Sequence, residues 1–181
     1  MMKLFALSCI TFLLVTHLFT LGLSAQTTIP SPSPVVLTNQ KVIYNLPYPG
    51  ILPDHPLYFL KRIRDVIMVL LTRDPVKAMQ LRLLISDKQI AMAQELATKG
   101  KQSLAATTFF QAEEQFARVP QLIQQHPNIS IPSELKLKIQ QSNTKHLDVI
   151  ENMLKQGLIT ESQAQPAISK NQENASELKT K

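Results

Sequence analysis

Four glycines, Gly22, Gly50, Gly100 and Gly157, serve the whole of a 181-residue chain. That scarcity constrains the fold more than any motif does, because hairpin turns, β-meanders and Gly-rich phosphate loops all need residues that accept positive φ. Helices remain. A composition of 44% hydrophobic and 18% charged residues is that of a packed protein rather than a disordered one. The expectation is an all-α fold: a bundle of four helices plus a weak fifth, preceded by a Pro-rich extended spacer.

Residues 1–25 hold Lys3, then an apolar run from Leu4 to Leu23, then Ser24 and Ala25, the layout of a signal peptide. Two readings stay open: cleavage after Ser24 or Ala25, or retention as an uncleaved anchor, since about 20 apolar residues just span a bilayer. Both put the rest of the chain outside the cytoplasm, secreted or extracytoplasmic, and the second adds membrane contact through the N-terminal segment. The single cysteine, Cys9, lies here, which leaves the remainder without disulfide or thiolate chemistry. Seven of the twelve prolines fall between residues 30 and 56. They predict a polyproline spacer over 26–53, ahead of a helical domain over 54–178 and a disordered tail at 179–181.

Within that domain, apolar residues recur at period 3.6. The first helix is expected over Pro56–Leu71, capped by Asp54 or His55, with Phe59, Leu60, Ile63, Val66, Ile67, Leu70 and Leu71 as its core face. Asp74-Pro75 restarts the chain, and Gly100 ends a second helix over 75–98. Its two apolar stripes, Ala78, Leu81, Ile85, Met92, Leu96 and Met79, Leu83, Ile90, Ala97, predict a helix buried on two sides, with Arg82, Ser86 and Gln89 between them. A third helix, 102–118, faces inward through Ala105, Phe109, Ala112, Phe116 and Val119, with Glu114 and Arg118 paired outside and Pro120 kinking or ending it. The fourth, 134–156, is capped by Ser133, faces inward through Leu135, Ile139, His146, Val149, Ile150 and Met153, and is closed by Gly157. A fifth, 161–178, has sparse apolar positions at Ala164, Ala167, Ile168, Ala175 and Leu178 and is expected to be loose.

Two surface features stand out on the first two helices. Leu57, Tyr58, Met68 and Val69 sit among charges, so they are either covered by another segment or contact a partner. Lys61, Arg62, Arg64, Arg73, Lys77 and Arg82 face only Asp65 and Asp74 between residues 61 and 82, a local +4 suited to anionic lipid or wall polymer and equally natural on solvated helix faces. Nucleic acid is not an expected partner, for no reading motif accompanies these bases.

Catalytic and metal patterns are missing. There is no Glu-x-x-His pair or HxxxH spacing, so neither a metal nor another cofactor is expected. No GxSxG elbow occurs. Glu113 and Glu114 point about 100° apart on a helix and cannot share a site. His146, centred on an apolar face, reads first as a hydrogen-bonded packing residue and second as a ligand or pH sensor. Asn128-Ile129-Ser130 and Asn174-Ala175-Ser176 match the glycosylation triplet, which matters only in a eukaryotic secretory route.

Pro56-Leu57-Tyr58-Phe59-Leu60-Lys61, Asp74-Pro75, Gly100-Lys101 and the later run Lys145 to Gly157 resemble the bacterial domain-of-unknown-function family numbered 5667, over about residues 50–178. The stretch QPAISKNQENAS is less charged and less regular than that family's closing helix. The resemblance implies an all-helical extracytoplasmic module with no established activity and no functional residues to transfer. The expected function is therefore a non-catalytic interaction or structural module of the bacterial envelope, partnered by an envelope protein or a surface polymer. The alternatives are a binder of anionic lipid or wall polymer, and an unrecognised hydrolase.

Overall fold

Asp74 marks the first firm boundary in the fold: its carboxylate accepts a hydrogen bond from the Lys77 backbone N–H at 2.8 Å, and Pro75 occupies the first helical position, where no N–H is needed. The computed structural model describes residues 44–179, so the signal segment and residues 26–43 of the spacer lie outside the described residues. Five helices follow: α1 Tyr58–Leu71, α2 Pro75–Thr98, α3 Gln102–Gln125, α4 Ser133–Lys155 and α5 Glu161–Lys179. Among the described residues there is no strand, and the fold is an all-α bundle.

The turns obey the few glycines. Gly100 and Gly157 adopt φ of 74° and 70°. That left-handed step lets Lys101 N–H reach back to the Leu96 carbonyl (2.9 Å) and Leu158 N–H to the Met153 carbonyl (3.0 Å), closing α2 and α4 with Schellman turns.

The most extensive helix pairing is α2 with α3; α5 packs on α3 and α4, α4 also meets α2, and α1 touches α2 lightly. Two apolar clusters fill the interior. One gathers Ile90, Leu96, Phe109, Ile150, Met153 and Ala164, the other Met79, Leu83, Phe116, Val119, Leu135 and Ile139. On α2, α3 and α4 alike, buried polar residues fall between the two clusters in the sequence: Ser86 and Asp87, Glu113, and Ser142, Asn143 and His146.

Several expectations need correction. The predicted core face of α1 is its solvent face: Phe59, Leu60, Ile63, Val66, Ile67, Leu70 and Leu71 are 48% to 79% exposed, and no residue of the helix is fully buried. The helix also begins at Tyr58 after an N-cap, Leu57, that has no side-chain bond; His55 Nδ1 accepts from Leu57 N–H instead, and Asp54 pairs with Lys101 at 2.7 Å. On α2 the stripe Met79, Leu83, Ile90, Ala97 is buried. Of the other, Met92 and Leu96 are buried while Ala78, Leu81 and Ile85 are half-buried, so the helix is enclosed on both sides only in its C-terminal half. Ser86, expected on a polar divide, is buried.

Pro120 does not end α3, which continues to Gln125. An interior proline forfeits a backbone bond at a cost of about 3 kcal/mol. Here Val119 and Pro120 are buried and Leu122 and Ile123 pack on the second cluster, which offsets that loss. Arg118 donates to Gln121 rather than pairing with Glu114. Ser133 is the first residue of α4, not its side-chain cap. The fifth helix is a full member of the bundle. The Gln163 side chain caps the Thr160 N–H at 2.9 Å, and small Ala164 and Ala167 let the backbone approach closely enough to bury Asn171 and Asn174.

Residues 44–53, assigned to the spacer on their prolines, have no regular structure but lie along the bundle. Leu52 is buried, Leu46 packs on the first cluster, and Tyr44 reaches Asp87.

Candidate functional site

The side of α1 that meets the bundle is its mixed side. Tyr58, Lys61, Asp65, Met68 and Val69 line a cleft of about 590 Å³ against Leu81, Leu84, Ile85 and Met92 of α2. Lys61 is the anchor: its Nζ donates to the Pro49 carbonyl at 2.7 Å and the Ile51 carbonyl at 3.3 Å, lies 3.4 Å from Met92 Sδ, and sits 5.9 Å from the Tyr58 ring centre. Burial pushes the Lys61 ammonium down to about 8, against the opposing pull of Asp65. Burial raises the Tyr58 phenol, with Arg62 opposing. A tyrosine ring and a lysine stem can cover apolar surface while their polar ends find partners, which is how a side rich in polar groups can dock.

Of the four candidate partner contacts, Tyr58 and Val69 are half-buried on the cleft side, whereas Leu57 and Met68 remain a little under half exposed. The six candidate bases do not form one patch. Arg62, Arg64, Arg73 and Lys77 are exposed, with Arg64 bound to Asp65 at 2.7 Å. Lys61 turns into the cleft, and Arg82 turns to Gln115 of α3 at 2.6 Å, its guanidinium lowered by burial and by Arg118. What lies outward on α1 is the seven-residue apolar face. Projected at 100° per residue, it spans about 140°, with Arg64 just past Leu71 on one side and Arg62 past Val66 on the other, while Arg73 lies in the extended link after the helix.

The interior holds a second constellation. His146 is fully buried, with Nε2 2.9 Å from Asp87 Oδ1 and Nδ1 2.9 Å from Glu113 Oε1. Both ring nitrogens face carboxylates, and only the doubly protonated imidazolium can donate to both. Desolvation alone would lower its pKa, yet the charge of Glu113 and the hydrogen bonds to Asp87 and Glu113 outweigh it and raise it to about 9. The cluster carries one net negative charge, spread over further donors. Tyr44 and Ser142 hydroxyls each donate to Asp87 at 2.5 Å. Asn171 and Asn174 side-chain amides donate to Glu113 Oε2 at 3.2 and 3.1 Å, and Asn174 also to the Glu113 carbonyl at 3.1 Å. The Tyr44 phenol is pushed well above its usual range by burial first and by Asp87 second, so it remains a donor.

Glu113, His146 and Ser142 stand in the order of a hydrolytic triad, with Ser142 Oγ 3.2 Å from His146 Nε2. The chemistry does not follow from the order. The Ser142 proton is directed to Asp87, and the serine and the imidazole have no solvent exposure, so an acyl group could reach them only if helices separated. Asn174, the second glycosylation triplet's asparagine, is likewise enclosed. Among the described residues no group of three or more His, Cys, Asp and Glu is arranged to hold a metal ion.

Sequence reasoning identified His146 but missed its partners. A signal was present, since Asp87 is four residues after Leu83 and three before Ile90, Glu113 is four after Phe109 and three before Phe116, and Asn171 and Asn174 continue the face of Ala164 and Ala167.

Residues 50–158 match the family model described as "Domain of unknown function (DUF5667)". No curated protein and no solved structure matches the chain. No helix among the described residues is long and apolar enough to cross a membrane.

Proposed function

The chain belongs to the DUF5667 family, and from that premise we propose that it is a non-catalytic helical interaction or structural module working outside the cytoplasmic membrane, in a bacterial envelope. One observation carries the reading: α1 turns seven large apolar side chains to solvent while its mixed side is anchored through Lys61. Exposed apolar side chains are normal when scattered, but seven on one arc of a 14-residue helix form a contiguous surface of the kind used for binding. The interior supports the same reading, because its titratable groups are locked to one another and are not presented to a substrate. Export is supported by residues 1–25, where Lys3 precedes a mainly apolar run without an acid, lysine or arginine and then two small residues.

The test is a photo-crosslinking residue at Ile67 in the native envelope, with the same residue at exposed Gln124 of α3 as control. Adducts at Ile67 and not at Gln124 are expected, and equal yields from both positions would remove the reading. Sequencing the N-terminus of the exported protein tests placement: it should begin at Ala25 or Gln26, and an intact Met1 in the membrane fraction would favour the anchor.

A further inference from the structure

We propose that the occupant of the outward face of α1 is the surface of an anionic lipid bilayer, on which the helix lies in plane. This deepens the interaction reading above and rests on it. Three features select a bilayer. The apolar arc is continuous along about 21 Å of helix, 14 residues at 1.5 Å each, so it presents a flat strip rather than a pocket or a knob. The strip includes Phe59 near one end and Leu70 and Leu71 at the other, so both ends can enter the acyl boundary together.

The third feature is the rim. Arg62 borders the arc on one side and Arg64 on the other, both exposed, where guanidinium groups can meet lipid phosphates when the strip is immersed, and exposed Arg73 follows the end of the helix. The one acid of α1, Asp65, lies on the cleft side, paired to Arg64, and Asp74 is engaged as the α2 cap. Exposed Arg62, Arg64 and Arg73 thus outnumber the one acid beside them, Asp65, and charge complementarity points to an anionic surface with an apolar interior.

A second copy of the chain fits less well. Pairing two such faces would bring together rims that each hold more base than acid.

The chain contains no tryptophan, so single reporters can be placed in the full-length protein. F59W and L70W put one at each end of the strip; L137W, at an exposed apolar site on α4, is the control. Each is mixed with vesicles of phosphatidylglycerol and phosphatidylcholine, or of phosphatidylcholine alone, with brominated acyl chains as depth-sensitive quenchers. Any contact made by the N-terminal apolar run is common to all three proteins. The expected result is a blue shift and severalfold stronger quenching for F59W and L70W than for L137W. The effect should depend on phosphatidylglycerol, weaken severalfold in high salt, and weaken likewise when R62E and R64E are added with helicity unchanged.

Three outcomes overturn the proposal: quenching no greater than for L137W, quenching equal on neutral vesicles, or a concentration-dependent blue shift without lipid, which identifies a second copy. If Ile67 still crosslinks an envelope protein while the reporters stay unquenched, the lipid assignment fails and the interaction module stands. If neither happens, both fail.

Discussion

Replacing His146 with Gln tests whether the buried cluster is an ion cluster. Glutamine keeps polar atoms in the cavity but removes the positive charge between Asp87 and Glu113, both 2.9 Å from the ring. Two carboxylates would then share a dry interior without a countercharge, and breaking such an arrangement costs about 3–5 kcal/mol. The pH dependence is more diagnostic than the loss itself. In the native state the imidazole keeps its proton up to about 9, whereas the unfolded chain releases it near 6.5. Between these values the native state holds the extra proton, so the contribution is fully present below pH 6.5 and declines as pH rises through 9. The difference between the two values is worth roughly 3 kcal/mol at about 1.4 kcal/mol per pH unit. Lys61 acts in the opposite sense above pH 8, since its folded-state value is depressed to about 8. That contribution is common to both proteins and cancels in their difference. Urea denaturation followed by far-ultraviolet circular dichroism, at several pH values from 6 to 9, should give curves for wild type and H146Q that converge as pH rises. Curves parallel within about 0.5 kcal/mol would mean that His146 is neutral in the fold, and the ion-cluster argument would be wrong.

Leu83→Ala removes a fully buried side chain from the second cluster and should cost about 2–4 kcal/mol by urea denaturation, whereas Ile85→Ala, on the open cleft, should cost about 1 kcal/mol. Equal losses would mean that the cleft is closed in solution. Asn174→Ala deprives Glu113 of two donors and should cost about 1–3 kcal/mol, with amide exchange rising first in α5; unchanged exchange there would show that the alanines alone hold the helix. Gly100→Ala places a side chain at φ 74° where nothing lies within 4 Å, so backbone strain alone should lower stability by about 1 kcal/mol, and a neutral result would contradict the turn described.

Much of the architecture can be read from the residues. Asp74-Pro75, Gly100 and Gly157 place three helix ends, and period 3.6 picks out Leu135, Ile139, His146, Val149, Ile150 and Met153, all buried. Periodicity states which residues share a face; it does not state where the face points. On α1 the more apolar arc turns outward because the opposite side offers something an apolar arc cannot, a lysine that satisfies two backbone carbonyls of residues 49 and 51. The polar cluster escaped for a related reason. Asp87, Glu113, Asn171 and Asn174 count against burial when taken singly, and only the three-dimensional meeting of five segments supplies the partners that make burial affordable. Pro120 escaped because the cost of a proline in a helix is local, while the packing that offsets it comes from the second cluster, built with residues of α2 and α4.

The cluster also sets an order of assembly. Its two carboxylates lie on α2 and α3, which are synthesised before α4 and joined by a tight turn, while the imidazolium that bridges them follows 59 residues after Asp87 and 33 after Glu113. Until α4 arrives, closing the α2–α3 hairpin would press two like charges into a drying interior, so the pair is expected to stay open and hydrated. A chain stopped before residue 146 is expected to show helical signal without a cooperative unfolding transition, and a sharp transition would contradict this order. The interior is then expected to seal only when its last polar contributors in chain order, Asn171 and Asn174 of α5, have emerged to take their places.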